Sequence, residues 1–148
     1  MMHLNKIRLL SLLSTSGKLL AHALCAAPSA FLCGVFLIRA TKYLNILDFT
    51  AVALSFASLI FVLLWTRAAV RQLASGEAAR KQADQFLWSC VFFSMIAFMF
   101  GMAVSGYVFF GTDFLKRFGV IFWGAMTAIA VYPVRRDAKR LAGAARPN

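Results

Sequence analysis

The chain has 148 residues, of which 61% are hydrophobic and only 14% are charged, and its mean hydropathy is +0.76. Soluble domains carry about a quarter charged residues and about half apolar ones, so this composition excludes an ordinary water-soluble domain. The formal net charge is +11, and the length fits one domain, residues 1–148.

The first 17 residues predict a short amphipathic helix at the membrane surface. Such a helix lies between the lipid headgroups and water, with its apolar side facing the acyl chains. A break is expected at Ser16-Gly17, and a simple extension of the first membrane span is the alternative. The apolar positions recur at helical spacing: Leu4, Ile7, Leu10 and Leu13.

Four apolar stretches are long enough to cross a bilayer, which takes about 20 residues in a helix. Tight turns are expected after the first and the third. The middle connection continues in good helix formers with opposite charges four residues apart, which predicts a helical hairpin that turns at Ser75-Gly76 and projects into the cytoplasm. The fold class is therefore all-α, a polytopic bundle of four transmembrane helices. The predicted spans cover residues 19–38, 46–66, 86–110 and 118–134.

Lysine and arginine orient the spans, because cytoplasmic loops carry an excess of both. The N-terminal segment, the middle connection and the tail 135–148 lie on one side of a four-span protein and hold 12 of them, against 4 on the other side. Both termini are therefore expected in the cytoplasm, at the cell inner membrane. Attraction to anionic headgroups accounts for the charge, so nucleic acid is not an expected partner. Contacts with headgroups or a partner are predicted for Arg67, Arg71, Arg80, Lys81, Arg135, Arg136, Lys139 and Arg140.

Small side chains at four-residue steps predict how the spans pack. Helices in lipid associate through close contact of small residues, since the hydrophobic effect does not drive one apolar helix onto another there. Pro28 predicts a kink in the first span, because proline removes a backbone donor. The predicted packing residues are Ala26, Ala30, Gly34, Ala97, Gly101, Ser105, Gly124 and Ala128.

The chain offers few groups for catalysis or transport. It contains no Gly-rich phosphate loop, HExxH motif or nucleophile elbow, so an enzyme is not expected. The middle of every span lacks Asp, Glu, Lys and Arg, which argues against an ion carrier. The three cysteines are scattered among apolar residues and the two histidines lie near the N-terminus, so no cofactor or metal site is expected. Asp48 is expected to stabilise the start of its helix.

These features favour a non-enzymatic scaffold, anchor or sensor of the inner membrane that forms a homo-oligomer and recruits a cytoplasmic protein. Small four-span proteins of phage-exclusion and other two-component membrane defence systems are similar in architecture, although no motif here identifies a family. One alternative is a small subunit of a larger membrane complex. The other is an oligomeric pore or ion channel, whose polar stripe would come from Ser55, Ser58 and Thr66 or from Ser89, Ser94 and Ser105.

Overall fold

The computed structural model describes residues 15–74, 76–111 and 113–144, which form four long helices joined by short turns. The described residues form helices and no strands, so the all-helical prediction is confirmed. Each helix is long and apolar enough to cross a membrane, which indicates a membrane protein. In chain order the helices are α1 (Thr15–Tyr43), α2 (Ile46–Leu73), α3 (Glu77–Phe110) and α4 (Phe114–Ala144).

The turns have local causes that can be read from the residues in them. Asn45 caps α2, since its side-chain oxygen accepts a hydrogen bond from the Leu47 N–H at 3.1 Å. Gly76 and Gly111 have φ values of 110° and 98°, a conformation that residues with a Cβ rarely adopt. Because the connections are short, successive helices run antiparallel.

The first helix begins at Thr15, ahead of the predicted span 19–38. Ser16 and Gly17 lie in the first turn of α1 as the structure describes it. The predicted break separates this helix from residues that are not described, so it stays a prediction. The remainder of the predicted amphipathic helix, residues 1–14, lies outside the described residues. Pro28 lies on the exposed side of α1 and the helix continues through it, so the kink stays a prediction.

Helices α1 and α3 form the centre of the bundle and cross backbone to backbone. A Cβ added at Gly34 would overlap the carbonyl oxygen of Phe98, and a Cβ added at Gly101 would overlap the carbonyl oxygen of Phe31. The crossing therefore needs glycine on both helices. All six small residues predicted for packing on these two helices are buried: Ala26, Ala30, Gly34, Ala97, Gly101 and Ser105.

Helix α4 packs against α3 and α1 mainly through its second half. Gly124 is half-buried beside the Phe100 ring, whereas Ala128 is exposed in the single chain, so helix packing through Ala128 stays a prediction. The helix also continues well past residue 134, where the predicted span ended. Its buried residues follow a different face at helical spacing: Ala130, Val134, Asp137, Ala138 and Leu141.

Helix α2 lies at the edge of the bundle. It packs closely on α1 and makes far fewer contacts with α3, although α3 follows it directly in the chain. Of its 28 residues only Asp48, Thr66 and Val70 are buried. The weak packing leaves a gap between α2 and α3 along part of their length.

Candidate functional site

The antiparallel topology brings the first residues of α1 and α3 and the last residues of α2 and α4 to the same end of the bundle. We call it the basic end. Glu77, Asp84 and Asp137 are the acidic residues that the described ranges place there. The basic residues outnumber them threefold: Lys18, Arg67, Arg71, Arg80, Lys81, Arg135, Arg136, Lys139 and Arg140.

At the opposite end most charges are satisfied within the chain. Arg39 Nε lies 3.0 Å from Asp48 Oδ1, and Lys116 Nζ lies 3.1 Å from Asp113 Oδ2. The Lys42 ammonium group donates to a backbone carbonyl of α3 and lies 5.0 Å from the centroid of a phenylalanine ring. Three of the four basic side chains at this end are therefore held by contacts inside the protein.

Asp48 has a structural role that the sequence did not predict. The cap of α2 is Asn45, whereas Asp48 is only 4% exposed and joins α2 to α1 through Arg39. Its second oxygen, Oδ2, is buried and has no hydrogen-bond partner in the described part of the chain. The carboxylate thus depends on a single cationic neighbour.

The basic end lacks this internal neutralisation. Among the residues that the structure describes there, only Arg136 forms an ion pair, with its neighbour Asp137 at 3.0 Å between Nε and Oδ1. Within the described ranges, the other basic side chains of this end have no acidic partner at ion-pair distance. All eight residues predicted to contact headgroups or a partner are exposed: Arg67, Arg71, Arg80, Lys81, Arg135, Arg136, Lys139 and Arg140.

A buried polar contact that the sequence did not predict joins α3 to α4 just inside the basic end. Asp137 is 5% exposed, and its Oδ2 accepts a hydrogen bond from Ser89 Oγ at 2.5 Å. The signal was present in the sequence, because Val134, Ala138 and Leu141 surround Asp137 at helical spacing and define one face. A count of charges alone places Asp137 in the basic tail 135–148 and does not reveal its burial.

Replacing Ser89 with alanine is expected to destabilise the protein by about 1–2 kcal/mol, because a buried carboxylate oxygen loses its donor. Ser94→Ala is the matched control, since the Ser94 hydroxyl bonds only to the Cys90 carbonyl of its own helix at 2.9 Å. The control should change stability by less than about 0.5 kcal/mol. Unfolding in mixed micelles, followed by circular dichroism, measures both. Equal losses in the two variants would contradict the role given to Ser89.

Several hydroxyl groups that a pore would need along a polar stripe form hydrogen bonds within the chain. Thr66 and Ser94 donate to the carbonyl four residues earlier in their own helices. Ser105 donates to a carbonyl of α1 at 2.9 Å, and Ser58 Oγ lies 3.1 Å from Ser29 Oγ of α1. These contacts join two helices or bond a hydroxyl group back to the backbone of its own helix.

Two adjoining cavities open between α2 and α3. One, of about 430 Å³, lies near the turn and is lined by Arg71 and Arg80 together with apolar residues. The next, of about 380 Å³, has mainly aliphatic and aromatic walls, with Arg67 on one side. Asp84 and Leu87 line both cavities, so the two form one continuous depression, which we call the α2–α3 groove.

Two further cavities lie against α4. One of about 370 Å³ separates it from the start of α1 and is lined in part by Arg135 and Lys139. The other, of about 280 Å³, lies between α3 and α4 and has only apolar walls, which include Trp123 and Met126. The groove and the first of these cavities account for five of the eight predicted contact residues, whereas Lys81, Arg136 and Arg140 line none of the four cavities described here.

No protein-family model, curated protein or solved structure is significantly similar to this chain. Within residues 15–74, 76–111 and 113–144, no three His, Cys, Asp or Glu side chains are placed to hold a metal ion together. The exposed guanidinium and ammonium groups at the basic end are of the kind that binds anionic oxygen atoms.

Proposed function

We propose that this protein is a non-enzymatic scaffold of the cell inner membrane, with both termini in the cytoplasm, that self-associates and recruits an acidic cytoplasmic protein. The observation that carries the proposal is the contrast between the two ends of the bundle. One end neutralises most of its charges internally, and at the other, among the residues that the structure describes, all but one of the basic side chains lack an acidic partner. The positive-inside rule assigns the basic end to the cytoplasm.

The last turns of α4 are the part of the basic end best suited to hold a partner. This segment is held against the rest of the bundle by Leu141, which is fully buried, and by the hydrogen bond from Ser89 to Asp137. A surface that is already ordered loses less conformational entropy on binding than a disordered tail does. Its outward side carries four exposed basic residues: Arg135, Arg136, Lys139 and Arg140.

Self-association is supported by the position of α2 at the edge of the bundle. Ala53 and Ala57 are exposed on this helix and lie four residues apart, so they share one face. Small residues at this spacing allow two membrane helices to approach closely. Ala128 on α4 is exposed as well and is open to the same kind of contact between copies.

Recruitment is expected to fall on the order of tenfold when three exposed basic residues of α4 are neutralised, because each surface contact contributes a few tenths to about 1 kcal/mol. The variant is Arg135→Gln/Lys139→Gln/Arg140→Gln, which leaves the pair of Arg136 with Asp137 intact. Proximity labelling in cells, with the labelling enzyme fused to the C-terminus, compares it with the parent protein.

The matched control is Arg117→Gln at the opposite end of the bundle, which should leave the labelled proteins unchanged. Native mass spectrometry from nanodiscs measures the oligomer in the same samples, and both variants should remain oligomeric because α2 is unaltered. Identical labelling by the triple variant, or a parent protein that is always monomeric, would contradict the proposal. A role in phage defence or exclusion stays a prediction, which the identity of the recruited protein would decide.

A further inference from the structure

We infer that the α2–α3 groove binds one anionic phospholipid, with the phosphate between Arg71 and Arg80 and an acyl chain along the apolar walls. The inference requires the helices to span a bilayer and the basic end to face an anionic leaflet. It does not require the protein to self-associate or to recruit a partner, so the experiments that test lipid binding and the proposed function are independent.

The groove exists because α2 and α3 separate although they are joined by a short turn. Both helices pack closely on α1, and α3 also packs closely on α4, so the gap between α2 and α3 is the exception among successive helices. A gap between helices forfeits dispersion contacts on both walls unless something fills it. In a bilayer the available filling is an acyl chain.

The length of the groove matches one leaflet of a membrane. Eleven residues separate Ile60 from Arg71 on α2, and eleven separate Arg80 from Val91 on α3. At 1.5 Å per residue each wall is about 17 Å long. One leaflet contributes about half of a hydrocarbon core that is roughly 30 Å thick. A lipid with its phosphate at the mouth would therefore extend to the inner end of the groove near the bilayer midplane.

The charges at the mouth favour a phosphodiester. Arg67, Arg71 and Arg80 line the two cavities, and Asp84 is the acidic residue among them. Guanidinium groups bind phosphate oxygens through two parallel hydrogen bonds. The Asp84 carboxylate can accept hydrogen bonds from headgroup hydroxyls, which a glycerol headgroup has and a choline headgroup lacks. A choline headgroup also brings a positive charge to a mouth that is already basic.

The walls below the mouth are suited to an acyl chain. Leu63, Leu64 and Leu87 line the inner cavity, and Trp88 extends along its side with 73% of its surface exposed. Indole rings are enriched where acyl chains meet headgroups. The two cavities, of about 430 and 380 Å³, each lie within the size range of small-molecule sites, about 300–1,000 Å³.

Quenching of Trp88 by brominated lipids tests the inference directly, because Trp88 lines the groove. The full chain with Trp65→Phe and Trp123→Phe retains Trp88 as its tryptophan. It is reconstituted into vesicles of phosphatidylcholine and phosphatidylglycerol in which either lipid, in turn, carries bromine on its acyl chains. The ratio of the two quenching efficiencies gives the relative affinity of the groove for the anionic lipid.

We expect a preference of at least about fivefold for phosphatidylglycerol, as one basic residue near the membrane surface contributes about that factor. Arg71→Gln/Arg80→Gln should reduce it to less than about twofold on the same basis. Lys81→Gln should leave it unchanged, because Lys81 carries the same charge beside Arg80 but lies outside the groove. Equal quenching by both lipids in the parent, an unchanged preference in the double variant, or the same loss in Lys81→Gln would overturn the inference.

Discussion

Replacing Gly101 with alanine is expected to destabilise the bundle by at least about 3 kcal/mol, because overpacking a tight core usually costs 1–3 kcal/mol and here the obstacle is backbone. The added Cβ would overlap the carbonyl oxygen of Phe31 in α1. A side chain could change its rotamer to make room, whereas a backbone oxygen can move only with its helix. The two central helices would have to separate, and the six buried small residues that line their contact would lose packing together.

The matched control is Gly106→Ala in the same helix, where the added Cβ meets no atom within 4 Å. It should be neutral or stabilise the protein by up to about 1 kcal/mol, since alanine is the better helix former. Unfolding by sodium dodecyl sulfate in mixed micelles, followed by circular dichroism, gives both free energies. Gly34→Ala should repeat the loss, and Gly34→Ala/Gly101→Ala should cost less than the two losses added, because one separation relieves both clashes. Equal stability of Gly101→Ala and Gly106→Ala would refute the close crossing.

The second large effect is expected at the ion pair that joins α1 to α2. Arg39→Gln should destabilise the protein by about 2–3 kcal/mol, because it leaves the buried Asp48 carboxylate without a cation. The Asp48 side chain is 6% exposed and the Arg39 side chain is 45% exposed. The exposure of Arg39 places the expected cost below that of a fully buried pair, which is about 3–5 kcal/mol.

A double-mutant cycle separates the loss of the Arg39–Asp48 ion pair from the cost of leaving the Asp48 carboxylate buried without a cation. Arg39→Gln/Asp48→Asn should be more stable than Arg39→Gln alone, because a neutral amide is far less costly to bury than a carboxylate. Lys116→Gln provides the control at the same end of the bundle. Its partner Asp113 is 77% exposed, so the change should cost less than about 0.5 kcal/mol. Additive losses in the double variant, measured in the same micelles, would mean that Arg39 and Asp48 are not coupled.

The number and approximate position of the helices could be predicted because the length of an apolar stretch is a property of the chain itself, and the bilayer thickness sets the length required. The turn at Gly76 could also be anticipated, since few other residues adopt its φ of 110°. The residue at which α4 ends could not be predicted in this way. Its apolar stretch stops near Val134, but the helix continues because Asp137 and Leu141 pack against the rest of the bundle.

The excess of basic residues at one end could be counted from the sequence, but the burial and the partner of each charged side chain could not be predicted from it. Asp48 resembled a residue that favours a helix terminus, and Asp137 resembled one more charge of a solvated tail. Both are buried against another helix, where one meets Arg39 and the other meets Ser89. Their partners lie nine and forty-eight residues away in the chain, and only the packing of the helices brings them into contact.

The amino-acid sequence by itself determined four apolar helices and the accumulation of basic residues at one end of the bundle. Only the tertiary structure decided that α1 and α3 cross at Gly34 and Gly101 and that two aspartates are buried. It also decided that a gap between α2 and α3 forms a groove with basic residues at its mouth. The physical reason is that hydropathy and helix propensity describe one helix at a time. The rotation of each helix about its axis, and the distance to its neighbours, depend on how all four fit together.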